Sequence, residues 1–208
     1  MIYLTAFLEH VKLVLITLIL SFLLAMLISF LLTKAPKIQS AVESIFSAIY
    51  SIPSLALFAL MIPITGLGDD TAILVLVIYN QYLLIRNILA GINGIDHSVI
   101  ESGVGMGMNQ KELFLKVIIP LAAPSIIAGI RLAVVSTIGI ATIAASINAG
   151  GLGTILFSGM RTMNGTKICI GTILCMVIAF IADTGIRWIE HKLDWRYKMS
   201  HGIQSIQE

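Results

Sequence analysis

Apolar residues dominate five long stretches of the chain, 11–33, 41–64, 71–92, 121–147 and 168–189, separated by runs that carry glycine, proline or charge. A bilayer core about 30 Å thick is crossed by about 20 such residues in a helix, so the pattern predicts five membrane-spanning helices. Backbone amides facing lipid have no partner outside their own segment, which makes each stretch helical. The connections hold turn chemistry: "TKAPKIQS", "TGLGDD" and "NAGGLGTILFSGMRTMNGTK". A longer polar interruption covers 93–120. The expected fold is all-α and polytopic, with residues 1–208 forming a single transmembrane domain. No internal repeat is visible, which weighs against inverted-repeat carriers.

Composition agrees and narrows the function. Of 208 residues, 58% are apolar and 12% charged, with a mean hydropathy of +0.99, against about 25% charged in soluble domains. The opening "MIYLTAFLEHVK" lacks a basic leader, so the first span is expected to be retained rather than cleaved. A net charge of +2 points to no nucleic-acid partner. The placement of the charges says more than their sum. Lys34, Lys37, Arg86, Lys111, Lys116, Arg187, Lys192, Arg196 and Lys198 fall on one side of the five-span scheme, against Lys12, Arg161 and Lys167 on the other. Cytoplasmic loops hold the excess of Lys and Arg, so the N-terminus is expected outside, and the C-terminus and the 93–120 loop inside.

That loop contains "ESGVGMGMNQKELFLKVIIP", Glu101 to Pro120. Leu113 and Val117, with Phe114 beside them, form an apolar stripe while Lys111, Glu112 and Lys116 point elsewhere, predicting a short amphipathic helix outside the membrane. Gly103, Gly105 and Gly107 would each weaken a helix by about 1 kcal/mol relative to alanine, which favours a turn there. On the residues alone, docking onto a partner and resting on lipid headgroups are both open.

The order Glu101-Ser102-Gly103, Gly107, then nine residues to Val117-Ile118-Ile119-Pro120 resembles the EAA motif, EAA-x3-G-x9-I-x-L-P, of permease subunits of binding-protein-dependent ABC importers. Ser102 and Gly103 replace the small alanines, and Val117 and Ile119 are conservative departures. "SIPSLALF", "IRNILAGI", "IIAGIRLAVVSTIGIATIAASINAGGLG" and "IADTGIRWIEHKL" are similar to the permeases of glycine betaine, carnitine and choline importers, extending the resemblance over most of the chain from the second span. Leu83 stands where related permeases often carry proline.

The resemblance implies a five-helix permease core whose 93–120 loop forms the coupling helix, with Glu101, Ser102, Gly103, Gly107 and Pro120 engaging a cytoplasmic ATPase. It implies a bacterial inner-membrane transport subunit for quaternary ammonium osmoprotectants. Its partners would be two ATPase subunits, an extracytoplasmic substrate-binding protein, a second copy or related permease, and lipids. The chain has no Gly-x4-Gly-Lys-Ser/Thr, so ATP and Mg are expected on the partner ATPase and no cofactor on this chain. No stretch is large and polar enough to be a receptor domain, so the receptor is expected on a separate chain.

Within the spans, Pro53 removes a backbone donor, and Ser51 and Ser54 can satisfy the freed carbonyl; packing kink and path wall are both open. Asn80 and Gln81 must bond to another helix, a partner or a wet cavity. Arg131 and Asp183 lie about 10 Å and about 8 Å in from the same face by helical rise. They are expected to pair, since intramembrane charges have partners; separate snorkelling is the alternative. Asn148, Gly150, Gly151 and Gly153 mark an outer-face turn. Trp188, Trp195 and Tyr197 fit an interfacial belt. Cys169 and Cys175 are expected to be buried and reduced. Scattered histidines form no catalytic or metal cluster. The competing functions are a permease for another small solute such as an amino acid, a membrane-embedded enzyme, for which no constellation is present, or an ATP-independent carrier.

Overall fold

The computed structural model describes residues 2–201, with side chains described through residue 192. Among the described residues every regular element is helical. Helix α1 runs Ile2–Thr33, nine residues longer at its start than the predicted span. Leu4 and Leu8 continue the apolar pattern, and no proline or glycine interrupts Glu9 to Lys12. Its faces are inverted relative to a soluble helix. Leu15, Ile19, Leu23, Leu27 and Leu31 point outward, while His10, Thr17, Ser21, Ala25 and Ser29 are buried. In lipid a leucine gains nothing by leaving the surface, so small residues take the helix contacts.

The second apolar stretch is not the single 41–64 helix that its hydropathy predicts. It divides into α2, Pro36–Tyr50, and α3, Ser54–Thr65, bent by 96°. Pro53 lacks the N–H needed to carry the ladder across, and sits at φ −55°, ψ 131° as the cap of α3. Ser51 Oγ donates to the Ala48 carbonyl at 2.6 Å, closing α2. The Tyr79 hydroxyl donates to the Ile52 carbonyl, fastening the break to the next span.

Helix α4, Asp69–Asn93, is continuous past Leu83 and opens with Asp69 and Asp70 in its first turn, a favourable placement against the helix dipole. The loop then gives α5, His97–Gly105, and α6, Gln110–Leu113. A π turn, Phe114–Ile118, leads into α7, Ile119–Ala144. A 3₁₀ turn, Ala145–Ile147, precedes α8, Gly153–Arg161, and α9, Gly165–His201. Among the described residues four helical stretches are long and apolar enough to cross a membrane, and the bent α2–α3 pair makes a fifth if counted as one span.

Helix α4 is the hub, packed most extensively on α7 and α1. One core layer gathers Phe58, Val75, Leu76 and Ile138; a second gathers Leu84, Ile85, Ile88, Leu89 and Ile126. The α4–α7 approach is close because Gly91 faces Ala122 and Ser125, and Gly129 faces the Asn87 side chain, where a Cβ would sit 2.6 Å from Asn87 Cβ. Cys169 is exposed on α9 and Cys175 only partly buried, correcting the expectation that both pack inside. Trp188 is exposed with Lys192 Nζ 3.5 Å from its ring centroid; the side chains of Trp195 and Tyr197 lie outside those described.

Candidate functional site

The loop 93–120 folds differently from its sequence pattern. The separate helix is α5, which carries Glu101, Ser102 and Gly103, whereas the "QKELFLKVII" segment belongs to one continuous helical stretch, Gln110–Ile147. Propensity disfavours glycine in α5, but tertiary packing decides. Gly103 is buried beneath Leu113, and a Cβ there would lie 2.5 Å from Leu113 Cδ1. Gly107, at φ +81°, ends the helix. The Met108 N–H donates to the Gly103 carbonyl at 3.2 Å and the Gly107 N–H to that of Val104 at 2.9 Å. This is the paired closure that a left-handed residue after a helix provides.

Both helix starts are capped. Asp96 Oδ1 accepts from the Ser98 N–H at 2.8 Å. Asn109 Oδ1 accepts from the Glu112 N–H at 2.9 Å while Glu112 Oε2 accepts from the Asn109 N–H at 3.2 Å, a reciprocal capping box. The Ser98 amide holds the Asp96 carboxyl below the usual carboxylate range, and Lys116 followed by the Asn109 amide does the same for Glu112. Glu101 therefore caps nothing. It is exposed in mid-helix, with Oε1 3.2 Å from His97 Nδ1. Pro120 follows the π turn, in which the Ile119 N–H reaches back to the Phe114 carbonyl. The wider turn absorbs the hydrogen bond that a proline ring would break.

The polar residues inside the spans form three groups. Asn80 and Gln81 are buried: Asn80 Nδ2 donates to Thr137 Oγ1 at 2.9 Å and to Ser21 Oγ at 3.2 Å, and Gln81 Nε2 donates to the carbonyls of Val77 and Ser21. They join α1, α4 and α7 rather than facing an open surface. Ser51, Pro53 and Ser54 stand apart from them, at the exposed or half-buried α2–α3 break. Arg131 Nε lies 3.2 Å from Asp183 Oδ1, and the same guanidinium reaches Glu190 Oε2 at 3.0 Å; Asp183 also takes Arg187 at 2.7 Å.

Asn148, Gly150 and Gly151 all have positive φ, and the turn they form is packed rather than free. The Gly151 N–H donates to Glu9 Oε2 at 3.1 Å, His10 lies against Gly151, and Gly153 abuts the Thr142 carbonyl. Sequence reasoning missed Ser21, Thr137, Glu9, His10 and Glu190, whose partners lie far away along the chain. The Asn109-x-x-Glu112 box was legible from spacing alone.

Residues 18–195 match the family model described as binding-protein-dependent transport system inner membrane component. The chain is 37% identical over 185 residues to the carnitine transport permease protein OpuCB of Listeria monocytogenes, covering 89% of this chain and 85% of that protein. It is 34% identical over 200 residues to the glycine betaine/carnitine/choline transport system permease protein OpuCB of Bacillus subtilis (strain 168), covering 96% and 90%. Its fold is similar to a chain of the MetNI methionine ABC transporter in an inward-facing form, with a TM-score of 0.84 at 20% identity over 92% of this chain and 96% of that one.

Proposed function

The chain belongs to the family of binding-protein-dependent transport system inner membrane components, and from that premise we propose that it conducts trimethylammonium osmoprotectants, the class of glycine betaine, carnitine and choline, through an ATP-driven importer. It is a multi-pass membrane permease subunit. ATP and Mg are handled by separate ATPase subunits, an extracytoplasmic receptor delivers the solute, and a second permease copy or relative completes the path. The loop and the C-terminus face the cytoplasm and the N-terminus faces outward, a reading supported by the distribution of Lys and Arg.

The observation that carries the reading is α5. A nine-residue helix, capped at its start by Asp96, closed by Gly107 and seated on Leu113, presents Glu101 outward at the spacing of the EAA motif. A rigid exposed helix joined to the α7 span can pass a partner's movement into the bundle. ATP-driven closure of the partner then shifts the spans between inward- and outward-facing states through its differing affinity for the two.

Co-purification and transport test this together. A P-loop ATPase is expected to co-purify with the intact chain and to be lost when Glu101→Ala and Gly107→Val are combined. Proteoliposomes holding the complex should take up labelled glycine betaine only with receptor and ATP; uptake without ATP would overturn the importer reading.

A further inference from the structure

Between α2 and α4 lies an open cavity of about 520 Å³ whose walls are unlike the rest of the apolar exterior. Ser40, Ser44 and Ser47 of α2, with Ser51 at its C-cap, form one stripe along it, recurring at the spacing of one helix face. The stripe extends about 16 Å along the axis. Glu43 stands beside it, and α4 contributes Tyr82 and Arg86 from the opposite wall. The upper end lies level with the buried Asn80–Gln81 layer, because Tyr82 directly follows Gln81.

Glu43, Arg86 and a row of hydroxyls stand out from the aliphatic exterior of the neighbouring spans, and ionisable groups on membrane helices turn toward protein or a wet cavity. Among the described residues Glu43 makes no ion pair, and the Arg86 guanidinium is engaged only by Tyr82, whose hydroxyl accepts from Nη1 at 2.6 Å. A guanidinium has five N–H donors, and Arg86 lines the cavity with only its Tyr82 bond made among the described residues. Tyr82 is itself held by Tyr50, with ring centroids 5.0 Å apart, so the Arg86 anchor is rigid. A volume in the range of small-molecule sites therefore carries an anionic group and a preorganised cationic fork on facing walls.

We infer that this groove is a substrate subsite of the translocation path, selective for small zwitterions: Glu43 attracts the fixed positive charge and Arg86, positioned by Tyr82, pairs with the carboxylate. This rests on the importer reading above and adds the residues and the ligand charge pattern. The serine hydroxyls flank Glu43 along the same wall, and their oxygens offer acceptors to the solute as it passes. Binding is weak, because a station on a path must release what it holds.

The test uses the full chain with its co-purifying ATPase in lipid nanodiscs, without receptor, and measures equilibrium binding of labelled glycine betaine and of labelled choline, which lacks the carboxylate. The wild type should bind glycine betaine in the millimolar range and choline several-fold more weakly. Arg86→Gln should weaken glycine betaine about tenfold and leave choline within about threefold, with Arg86→Lys recovering part of the loss. Tyr82→Phe should lower glycine betaine alone, and Glu43→Gln should weaken both probes. A wild type that binds neither probe, or an Arg86→Gln change equal for the two, overturns the subsite. If the same complex, reconstituted in proteoliposomes and given receptor, still shows ATP-dependent uptake, the importer reading stands; uptake without ATP overturns that reading separately.

Discussion

Arg131 Nε lies 3.2 Å from Asp183 Oδ1 across the α7–α9 contact, and neither residue is paired only with the other. Glu190 shares the guanidinium and Arg187 shares the carboxylate, giving two cations and two anions in one network. The single losses are therefore unequal. Arg131→Met strands Glu190 and leaves Asp183 with Arg187 alone, whereas Asp183→Leu leaves Arg131 with Glu190. We expect Arg131→Met to lower membrane-inserted yield and thermal stability more than Asp183→Leu, and the double variant to lose less than the sum of the two, without full recovery because Glu190 and Arg187 then lack these partners. Additive losses would overturn the coupling, since independent sites add.

Asn80 holds Ser21 and Thr137 in the dry interior where α1, α4 and α7 meet. Asn80→Ala leaves the Thr137 hydroxyl without its partner, and interhelical hydrogen bonds in membranes average about 0.6 kcal/mol with a maximum near 1.7. A loss of about 1–2 kcal/mol is expected in reversible unfolding in mixed micelles, reflecting the bond and the small cavity together. Asn80→Ala combined with Thr137→Val should cost less than the sum of the two.

Gly153 has no room for a side chain: a Cβ would overlap the Thr142 carbonyl and press on Ala145 Cβ at 2.7 Å. A backbone carbonyl cannot swing aside as a flexible side chain can, so Gly153→Ala should displace α8 from the end of α7. Gly139 on the same helix as Thr142 meets nothing within 4 Å and is the matched control. Gly153→Ala is expected to lower the melting temperature by several degrees and Gly139→Ala to leave it unchanged or slightly raised, in line with the helix preference for alanine of about 1 kcal/mol.

Gly103 raises the opposite question, because its neighbour can move. Gly103→Ala gains about 1 kcal/mol of helix preference. Turning Leu113 away from its rotamer costs about 0.5–1.5 kcal/mol. The balance predicts near-neutral stability and retained ATPase co-purification for Gly103→Ala, and loss of both for Gly103→Val, measured side by side.

The caps of α5 and α6 give a dependence on pH. Asp96 and Glu112 are more acidic in the fold than ordinary carboxyls, so their contribution is complete above the usual carboxylate range and falls away as pH drops through the lowered values. Amide exchange at Ser98 and Asn109, whose N–H groups donate to the Asp96 and Glu112 carboxylates, should show protection at neutral pH and lose it only in acid. Asn109→Ala should remove it at Glu112 at neutral pH, at a cost of about 1 kcal/mol.

The sequence by itself determined the membrane class and the all-α architecture. It also determined the spacing of Glu101, Gly107 and Pro120, because span length and motif spacing are local properties of the chain. Only the tertiary structure decided which part of the loop is a free helix. Leu113 buries Gly103 and makes α5 helical against its propensity, while the π turn lets Gln110 to Ile147 run on through Pro120. It likewise decided that the second apolar stretch bends by 96° at Pro53, a position where hydropathy is continuous and only the Tyr79 hydroxyl and the bundle fix the angle. The glycines of the turn near Asn148 are visible in the sequence, but their packing against Glu9 and His10, some 140 residues away, is set by the tertiary structure. Such contacts depend on how helices meet in space, which no window along the chain contains.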